Sequence, residues 1–384
     1  MNAIEIVNEI LLSGIKYKAS DIHIEKNGKY SLVKFRIEGI LYGYKKFEDV
    51  HEKLIARIKI LSNLDTTKKL NPQDGSFSIS IKDNKIDIRT SILPLITGEK
   101  AYLRILDPKR SKKDLEDLFS KEELGIVESK LLRKNGMILV TGPTGSGKTT
   151  TLYSFLNRIN TGRENIITVE DPVEYKIQGI NQIEVNSKRG LSFENSLRSI
   201  LRSDPDVIMI GEIRDKETAE IAVRSSITGH LILSTLHTYS SFSSIIRLMD
   251  MGVEDYLIAS SLSLVINQRL IGSLCPYCKS SYSPSDKEKS ILEKYQIDAN
   301  LLYKNVGCEK CIGGYTKREA VFELLEFDRD YIKCIGAKEL ENTYKRIYKE
   351  KGSKTLLEKA LEKVKSGEFF LKDVLKEAYG LEEL

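Results

Sequence analysis

The chain has 384 residues, of which 30% are charged and 41% hydrophobic, and its formal net charge is +5. A chain of this length exceeds what one hydrophobic core usually serves, so we expect a globular protein of two or three domains. The modest charge does not by itself indicate a nucleic-acid partner, and no run of about 18 apolar residues predicts a membrane span. The N-terminus contains two glutamates and lacks the basic segment of a signal peptide, so a cytoplasmic protein is expected.

The first hundred residues predict a small α+β domain. Helical spacing of apolar side chains predicts helices at 2–18 and 49–62. Alternation of apolar and polar residues predicts strands, including two hairpins, at 20–25, 30–37, 40–44, 76–81, 86–93 and 100–106. We interpret residues 1–107 as an N-terminal α+β domain, and the charged segment 108–118 as a linker that runs into a helix.

The segment MILVTGPTGSGKTT, residues 137–150, has the pattern of a phosphate-binding loop. A short apolar run predicts a buried strand, and the glycines after it let the backbone turn with its amides around phosphate oxygens. Lys148 supplies a cation for the β- and γ-phosphates, the Thr149 hydroxyl is placed to ligate Mg²⁺, and a helix beginning near Gly147 adds its N-terminal partial charge. The predicted ATP-binding residues are Gly142, Pro143, Thr144, Gly145, Ser146, Gly147, Lys148, Thr149 and Thr150.

Strands and helices alternate from residue 119 onward, which predicts an α/β core with a parallel sheet. Further strands are predicted at 166–169, 206–210 and 231–233, and helices at 191–203, 216–227 and across 241–271. The segment 275–311 is loop-rich, and Lys- and Glu-rich helices are predicted from 338. The predicted divisions are an ATPase core over 119–271, a zinc module over 272–320 and a C-terminal helical subdomain over 321–384.

Acidic residues and histidines flank the predicted strands of this core. Glu212 follows one strand, while Glu170 and Glu174 follow another. At the carboxyl end of a parallel strand beside a phosphate loop, a carboxylate can hold the Mg²⁺ shell or orient the attacking water. A general base is therefore predicted among these three residues. His230 and His237 flank a third strand, and both a γ-phosphate-sensing role and an ordinary structural role are open for them.

Four of the five cysteines form two C-x-x-C pairs. Four thiolates with this spacing predict a tetrahedral, structural Zn²⁺ site formed by Cys275, Cys278, Cys308 and Cys311. Cys334 is predicted to be a core thiol. The module lacks the interleaved base-stacking aromatics and the long basic stripe of a nucleic-acid binder, so a nucleic-acid partner is not expected.

Together these segments resemble the ATPases that drive type II secretion and type IV pilus assembly. The resemblance rests on GPTGSGKTT at 142–150, ITVEDPVEY at 167–175 (the Asp box), DPDVIMIGEIRD at 204–215 (Walker B) and TGHLILSTLHT at 228–238 (the His box). ASDIHIE at 19–25 and RTSILPLITGEKAYLRIL at 89–106 resemble the domain that precedes the motor. The resemblance implies a RecA-like P-loop ATPase that forms a homo-hexamer at the inner face of the cell membrane and acts on a platform protein there.

The resemblance also implies roles for individual residues: Glu174 as the catalytic glutamate, Glu212 as the Walker B acid, and Arg89, Arg104, Arg198 and Arg202 as arginines of the ATP site. The first two arginines match residues that the family's N-terminal domain points at the phosphates. The tetracysteine pattern resembles assembly and secretion members rather than retraction members. The sequence starts directly at the domain containing ASDIHIE, as in shorter competence-type ATPases. Pilus assembly, secretion and DNA uptake therefore stay open, and a nucleic-acid motor is the alternative from another class.

Overall fold

The structure is a computed structural model that describes residues 2–81, 84–107, 112–335 and 340–378. The chain divides into two compact units, residues 1–111 and 112–384, and this division falls within the predicted linker. Each unit has its own sheet. Within the described ranges, no helix combines the length and apolarity needed to cross a membrane.

The first unit combines two helices with an antiparallel sheet, in agreement with the predicted α+β fold. Its elements are α1 (Ala3–Lys16), β1 (Asp21–Asn27), β2 (Tyr30–Ile37), β3 (Ile40–Glu48), α2 (His51–Leu61), β4 (Gln73–Ile81), β5 (Asn84–Leu95) and β6 (Gly98–Leu106). Among the described residues, the strand order is β3-β2-β1-β6-β5-β4. The turn predicted between β4 and β5 includes residues 82 and 83, which lie outside the described residues.

One face of this sheet is apolar and the other is polar, because strand side chains alternate. Ile22 and Ile24 of β1 are fully buried. Gly14 of α1 lies so close to the first of these that a Cβ at Gly14 would be 2.8 Å from its Cδ1 atom. Asp21 and His23 therefore lie on the opposite, polar face. The alternation recognised in the sequence thus separates a core face from a face lined by ionisable groups.

The second unit is built on a larger sheet with helices around it. Its N-terminal part contains α3 (Leu115–Leu118), α4 (Lys121–Leu131), β7 (Gly136–Thr141), α5 (Lys148–Ile159), β8 (Ile166–Glu170), β9 (Asn181–Glu184), α6 (Phe193–Ile200), β10 (Val207–Ile210) and α7 (Lys216–Ile227). It continues with β11 (Leu231–Leu236), α8 (Ser241–Asp250), α9 (Asp255–Ser261), β12 (Leu262–Leu274), β13 (Ser280–Tyr282), α10 (Asp286–Lys294), β14 (Leu302–Lys304) and β15 (Tyr315–Glu326). The chain ends in α11 (Arg329–Cys334), α12 (Leu340–Glu350), α13 (Leu356–Lys365) and α14 (Leu371–Ala378).

The main sheet has the order β15-β12-β7-β11-β10-β8-β9 among the described residues. Neighbouring strands from β12 to β9 are parallel, and only β15 runs antiparallel, at one edge. Both faces of β7 are buried: Met137 and Leu139 belong to one apolar cluster, and Ile138 and Val140 belong to another. The predicted α/β fold with a parallel-sheet core is confirmed. This burial explains why the strand sequence is apolar throughout instead of alternating.

Helices were predicted across residues 241–271, but the last helix of this segment ends at Ser261. The prediction was wrong for residues 262–271. Residues 262–274 form β12, which pairs with β7 on one side and with β15 on the other. Nearly all of its residues are buried. A segment that is buried on both faces has no polar face, so neither the helical nor the strand period shows in its sequence. Pairing with β7 decides its conformation.

The predicted boundaries of the zinc module and of the C-terminal subdomain also need correction. β12 extends beyond residue 272, and β15, which crosses the predicted boundary at 321, is the edge strand of the core sheet. The segment predicted to be loop-rich contains α10. An apolar cluster joins Leu292 of α10 and Leu302 of β14 to Leu361 and Val374 of the C-terminal helices, so module and tail share a core. The side chain of Cys334 and residues 379–384 lie outside the described residues.

Candidate nucleotide site and metal centre

The phosphate loop leaves the sheet at the carboxyl end of β7. Gly142, Gly145 and Gly147 have φ angles of +143°, +82° and +91°, which residues with a Cβ rarely adopt. A Cβ at Gly142 would lie 2.4 Å from the backbone oxygen of Gln268, so a side chain is excluded there on two grounds. The loop then enters α5 at Lys148. This is the strand, glycine loop and helix order that the sequence predicts.

The loop has the polar groups that a bound polyphosphate requires. The Ser146 hydroxyl is buried and has no hydrogen-bond partner among the described residues, and a Cβ built at Gly145 would meet only open space. Lys148 Nζ donates to the backbone oxygens of Gly142 (2.8 Å) and Pro143 (3.0 Å), so the ammonium group is folded onto the loop. Unpaired donors at a helix N-terminus favour an anion. The residues present therefore fit phosphate.

Lys148 carries an unusual electrostatic environment. Burial lowers the pKa of its ammonium group to about 8, against the attraction of the Glu212 carboxylate, and the Arg269 guanidinium acts in the same direction as burial. A buried cation with only carbonyl acceptors is poorly compensated. A phosphate dianion would supply the missing negative charge, so the site is better balanced with phosphate than without it.

Glu212 and His237 lie at the same edge of the sheet as the loop, because their strands run parallel to β7 and both residues follow the strand ends. His237 Nε2 lies 3.3 Å from Glu212 Oε2, and Arg214 forms an ion pair with the other carboxylate oxygen. Burial and the Lys148 charge lower the pKa of His237, while the Glu212 carboxylate opposes them. Arg214 was not predicted, and it was present in the sequence only as part of the Walker B segment.

Glu170, the last residue of β8, and Glu174, which follows the strand, have different surroundings. Glu170 is buried, and its carboxylate accepts hydrogen bonds from Tyr153, from Thr168 Oγ1 (2.6 Å) and from Gln182 Nε2 (3.1 Å). Burial raises the pKa of Glu170 despite these donors. Glu174 is half-buried and donates its backbone N–H to the Tyr153 hydroxyl at 3.2 Å. Within the described ranges, the Glu174 carboxylate has no hydrogen bond or ion pair.

The structure does not bring His230 to this edge. His230 precedes β11, whereas His237 follows it, so the strand separates them by about 20 Å at roughly 3.3 Å per residue. The His230 ring lies 3.0 Å from the backbone oxygen of Ser225, a structural contact at the end of α7. The sequence left a γ-phosphate-sensing role and a structural role open for both histidines, and this contact favours the structural role for His230. Adjacency to one strand did not reveal that they flank opposite ends of it.

Among the described residues, neither Arg198 nor Arg202 forms a hydrogen bond or an ion pair with the phosphate loop. Both are exposed on or just after α6, and Arg198 pairs with Glu194 one turn earlier at 2.9 Å. Asn165, which precedes β8, donates to the backbone oxygen of Ser203, so α6 ends at the edge where β8 begins. The role of Arg198 and Arg202 at an ATP site stays a prediction.

Arg89 and Arg104 are opposite each other on β5 and β6 of the first unit. Arg104 Nε is 3.1 Å from Asp21 Oδ1, and Arg104 Nη2 donates to the Tyr102 hydroxyl at 2.6 Å. Burial acts to raise the pKa of Asp21. Hydrogen bonds from Tyr102, from Ser20 and from Arg104 outweigh this effect and lower the pKa of Asp21 below its usual value. Asp21 belongs to the ASDIHIE segment. This carboxylate therefore orients Arg104 on the polar face of the sheet, with Arg89 beside it.

Polar residues of β12 form a part of the site that the sequence reasoning missed. Gln268 hydrogen-bonds the phosphate loop, and Arg269 donates to the backbone oxygens of Tyr239 (2.9 Å) and Glu377 (2.9 Å). Asn267 donates to the same Tyr239 oxygen at 2.9 Å. The available signal was the polar triplet Asn-Gln-Arg inside an otherwise apolar segment. Its meaning depended on recognising the segment as a strand beside β7.

The four predicted cysteine ligands come together in the second unit. All four Sγ atoms lie within 4.8 Å of one another, and the Sγ atoms of Cys278 and Cys311 are 3.6 Å apart. Four sulfurs at Zn–S distances of about 2.3 Å would be separated by roughly 3.8 Å in a tetrahedron. The Gly307 N–H donates to Cys278 Sγ at 3.3 Å, which stabilises a thiolate. The donor set and its spacing therefore fit one structural Zn²⁺.

We expect the purified protein to contain about one Zn²⁺ per chain and to lose local structure around residues 275–311 when the metal is removed. The reason is that the metal would join two C-x-x-C turns that are 33 residues apart in the chain, whereas thiols without a metal form only weak hydrogen bonds with one another. Metal analysis and hydrogen exchange before and after chelation measure both effects. Cys278→Ser with Cys311→Ser should abolish zinc, whereas Cys334→Ser should retain it. Zinc-free protein with unchanged exchange protection would contradict the assignment.

Comparison with known proteins agrees with this geometry. The sequence pattern of the family described as Type II/IV secretion system protein matches residues 2–376. The putative type II secretion system protein E of Escherichia coli strain K12 is 43% identical over 381 residues, which cover 98% of this chain and 76% of the relative. The type IV pilus assembly ATPase PilB of Myxococcus xanthus strain DK1622 is 43% identical over 331 residues, which cover 84% and 58% of the two chains.

Solved structures show the same fold. The crystal structure of the pilus retraction motor PilT with bound ADP superposes with a TM-score of 0.67 at 28% identity, covering 98% of each chain. The Legionella pneumophila ATPase DotB has a TM-score of 0.75 at 18% identity, covering 97% of this chain and 95% of its own, and supports the fold alone. Sequence family, fold and phosphate loop agree, and the chain belongs to the type II/IV secretion system protein family.

Proposed function

We propose that this chain is a cytoplasmic, Mg²⁺-dependent ATPase that hydrolyses ATP to ADP and phosphate and powers assembly of a type IV pilus or a type II secretion pseudopilus. The single observation that carries the proposal is the meeting of the phosphate loop, Lys148, Glu212 and His237 at one sheet edge. Family membership and the relatives' names support the same function. In this proposal the chain works as a homo-hexamer on an inner-membrane platform protein.

The proposed chemistry assigns each group a task. Lys148 exchanges its contacts to the loop carbonyls for the β- and γ-phosphate oxygens, and the backbone amides around Ser146 and Gly147 hold the remaining oxygens. The exposed hydroxyl of Thr149 and the carboxylate of Glu212 would hold Mg²⁺, which neutralises charge on the phosphates when it is bound. His237, held by Glu212, is placed to respond to the γ-phosphate. The phosphates' negative charge would favour protonation of its ring.

Glu174 is the best candidate for the group that orients the attacking water. Its carboxylate is unengaged within the described part of the chain, whereas Glu170 already accepts three hydrogen bonds and Glu212 is shared by Arg214 and His237. A base must have a free lone pair directed at the proton that it takes. The Tyr153 hydroxyl holds both the Glu170 carboxylate and the Glu174 backbone, so Glu170 is placed to support the Glu174 loop.

We expect Glu174→Gln to retain ATP affinity and to lower turnover by about 10²-fold or more, because it removes a proton acceptor and leaves the phosphate loop intact. Phosphate release and calorimetric binding of ATP measure the two effects separately. Glu170→Gln is the matched comparison, since it makes the same chemical change four residues earlier, at the end of β8. If only Glu170→Gln lost turnover at full affinity, the catalytic role would belong to Glu170. If Glu174→Gln lost affinity and turnover together, Glu174 would be structural.

The molecule that stimulates ATP hydrolysis should distinguish a pilus or secretion motor from a DNA-uptake ATPase and from a nucleic-acid motor. The cytoplasmic domain of a pilus or secretion platform protein should increase the turnover of the wild-type chain. Stimulation only by the platform of a DNA-uptake system would assign the competence alternative. Stimulation by DNA, with an affinity that falls steeply with salt, would support a nucleic-acid motor instead.

A further inference from the structure

Gln268 of β12 is placed to control the shape of the phosphate loop. β12 runs parallel to β7 with Asn267 opposite Thr141, so Gln268 lies beside the point where the loop leaves the sheet. Its side chain is 2% exposed. The Nε2 group donates to the backbone oxygen of Ser146 at 2.8 Å, and the Oε1 atom accepts from Thr151 Oγ1 at 2.8 Å. The amide thus joins the loop to the first turn of α5.

The bond to Ser146 constrains a second group that faces the other way. The carbonyl of Ser146 and the N–H of Gly147 belong to one planar trans peptide group, in which they point in opposite directions. A donor that holds the carbonyl on the β12 side therefore holds the Gly147 N–H toward the loop interior. The Ser146 carbonyl can only accept a hydrogen bond, so it faces Nε2 of the Gln268 amide, and the Thr151 hydroxyl that donates to Oε1 holds the other end of the amide in place.

Close packing supports the same interpretation. A Cβ at Gly147 would lie 2.9 Å from Gln268 Nε2, and a Cβ at Gly142 would lie 2.4 Å from the Gln268 backbone oxygen. Two glycines of the loop are thus required by contact with this one residue. Gly147 has a φ of +91°, and a glycine peptide is intrinsically free to rotate. Without the amide contact, nothing among the described side chains would hold the Ser146 carbonyl.

We propose that Gln268 is a positioning residue for nucleotide binding: by holding the Ser146 carbonyl, it presents the Gly147 N–H to a phosphate oxygen. The inference rests on the proposed ATP-binding function. It adds a residue that lies outside the phosphate loop, on the neighbouring strand β12. Gln268 does not itself touch the phosphate, and it acts through the peptide that does.

The test compares Gln268→Leu with Ser263→Ala in the full chain. Ser263 Oγ donates to the backbone oxygen of Met137 at 2.9 Å, so it is also a buried β12 side chain that bonds the β7 segment, but at the opposite end of the strand. Calorimetry gives the dissociation constant of ADP, and thermal unfolding without nucleotide gives stability. We expect both variants to unfold at lower temperature, and only Gln268→Leu to lose about tenfold or more in ADP affinity.

Thr151 provides a second test that keeps Gln268 in place. Thr151→Val removes the hydroxyl that orients the amide, and Thr151→Ser retains it. We expect weaker ADP binding in Thr151→Val, recovery in Thr151→Ser, and no further loss when Thr151→Val is combined with Gln268→Leu. If Gln268→Leu does not fold, the comparison of Thr151→Val with Thr151→Ser still tests whether the Gln268 amide positions the phosphate loop. Unchanged ADP affinity in Gln268→Leu, or in Thr151→Val, would overturn the inference. Failure of the wild-type chain to bind ADP would instead contradict the proposed function.

Discussion

Lys148→Ala is expected to lower the affinity for ATP and ADP by on the order of 10³-fold, because the phosphates lose their buried cation. A charge-assisted hydrogen bond contributes about 1.5–3 kcal/mol, and Lys148 can make two of them to adjacent phosphates. Calorimetric titration measures the loss. The apo protein should stay folded, since among the described residues the Lys148 ammonium group donates hydrogen bonds only to the backbone oxygens of Gly142 and Pro143.

The pKa of Lys148 adds a pH signature to this prediction. Burial lowers it to about 8, so the free side chain is charged below pH 8 and becomes neutral above it. Phosphate binding requires and stabilises the charged form, so binding takes up a proton above pH 8 and affinity falls by up to tenfold per pH unit. Lys148→Arg stays charged and should lose this dependence. An affinity that is flat between pH 7 and 9.5 in the wild-type chain would contradict the assigned role.

Arg104→Ala is expected to lower ATP turnover by about 10³-fold while leaving the first unit folded, if this arginine stabilises charge on the phosphates in the working motor. The structure gives Arg104 a defined orientation through Asp21 and Tyr102, which an ordinary solvated surface arginine lacks. Its side chain is 52% exposed, so removing it opens no cavity. Turnover should fall further, or remain at the same low level, when Arg89→Ala is added.

The matched control is Lys45→Ala in the same unit. Lys45 is also a cation paired with one carboxylate, Glu9, at 2.8 Å, but it lies on β3 and matches no ATP-site residue. Zinc content and thermal unfolding should be the same in Arg104→Ala and in Lys45→Ala. Equal turnover in wild type, Arg104→Ala and the Arg89→Ala double variant would leave the first unit without a catalytic contribution.

Local patterns in the sequence determined most elements and the phosphate loop. The strand, glycine and lysine order at 137–150 is a local backbone requirement, and its prediction did not need any distant residue. The alternation in β1 and β2 and the C-x-x-C pairs are also short-range signals. These patterns work because a strand face, a tight turn and a thiolate pair are each specified by residues that are close in the chain.

Other parts of the site depended on which strands become neighbours. β12 is buried on both faces, so no period in its sequence distinguished a strand from a helix, and Gln268 was missed with it. His230 and His237 are equally close to β11 in the sequence, yet only the latter lies at the loop's edge, because strand direction decides which end of β11 meets the end of β7. The contact of Asp21 with Arg104 likewise required β1 and β6 to pair.

Residues at short spacing encode the phosphate loop, the pairs of cysteines and the α/β class, so these features could be predicted before the fold was known. Which of the predicted acids and histidines lie at the same edge as Lys148, and which residue holds the Ser146 carbonyl, depends on how the strands are arranged in the sheet. The physical reason is that sheet order and strand direction are set by the packing of segments more than a hundred residues apart, such as β7 and β12. The spacing of residues within one segment does not indicate the sheet order or the strand direction.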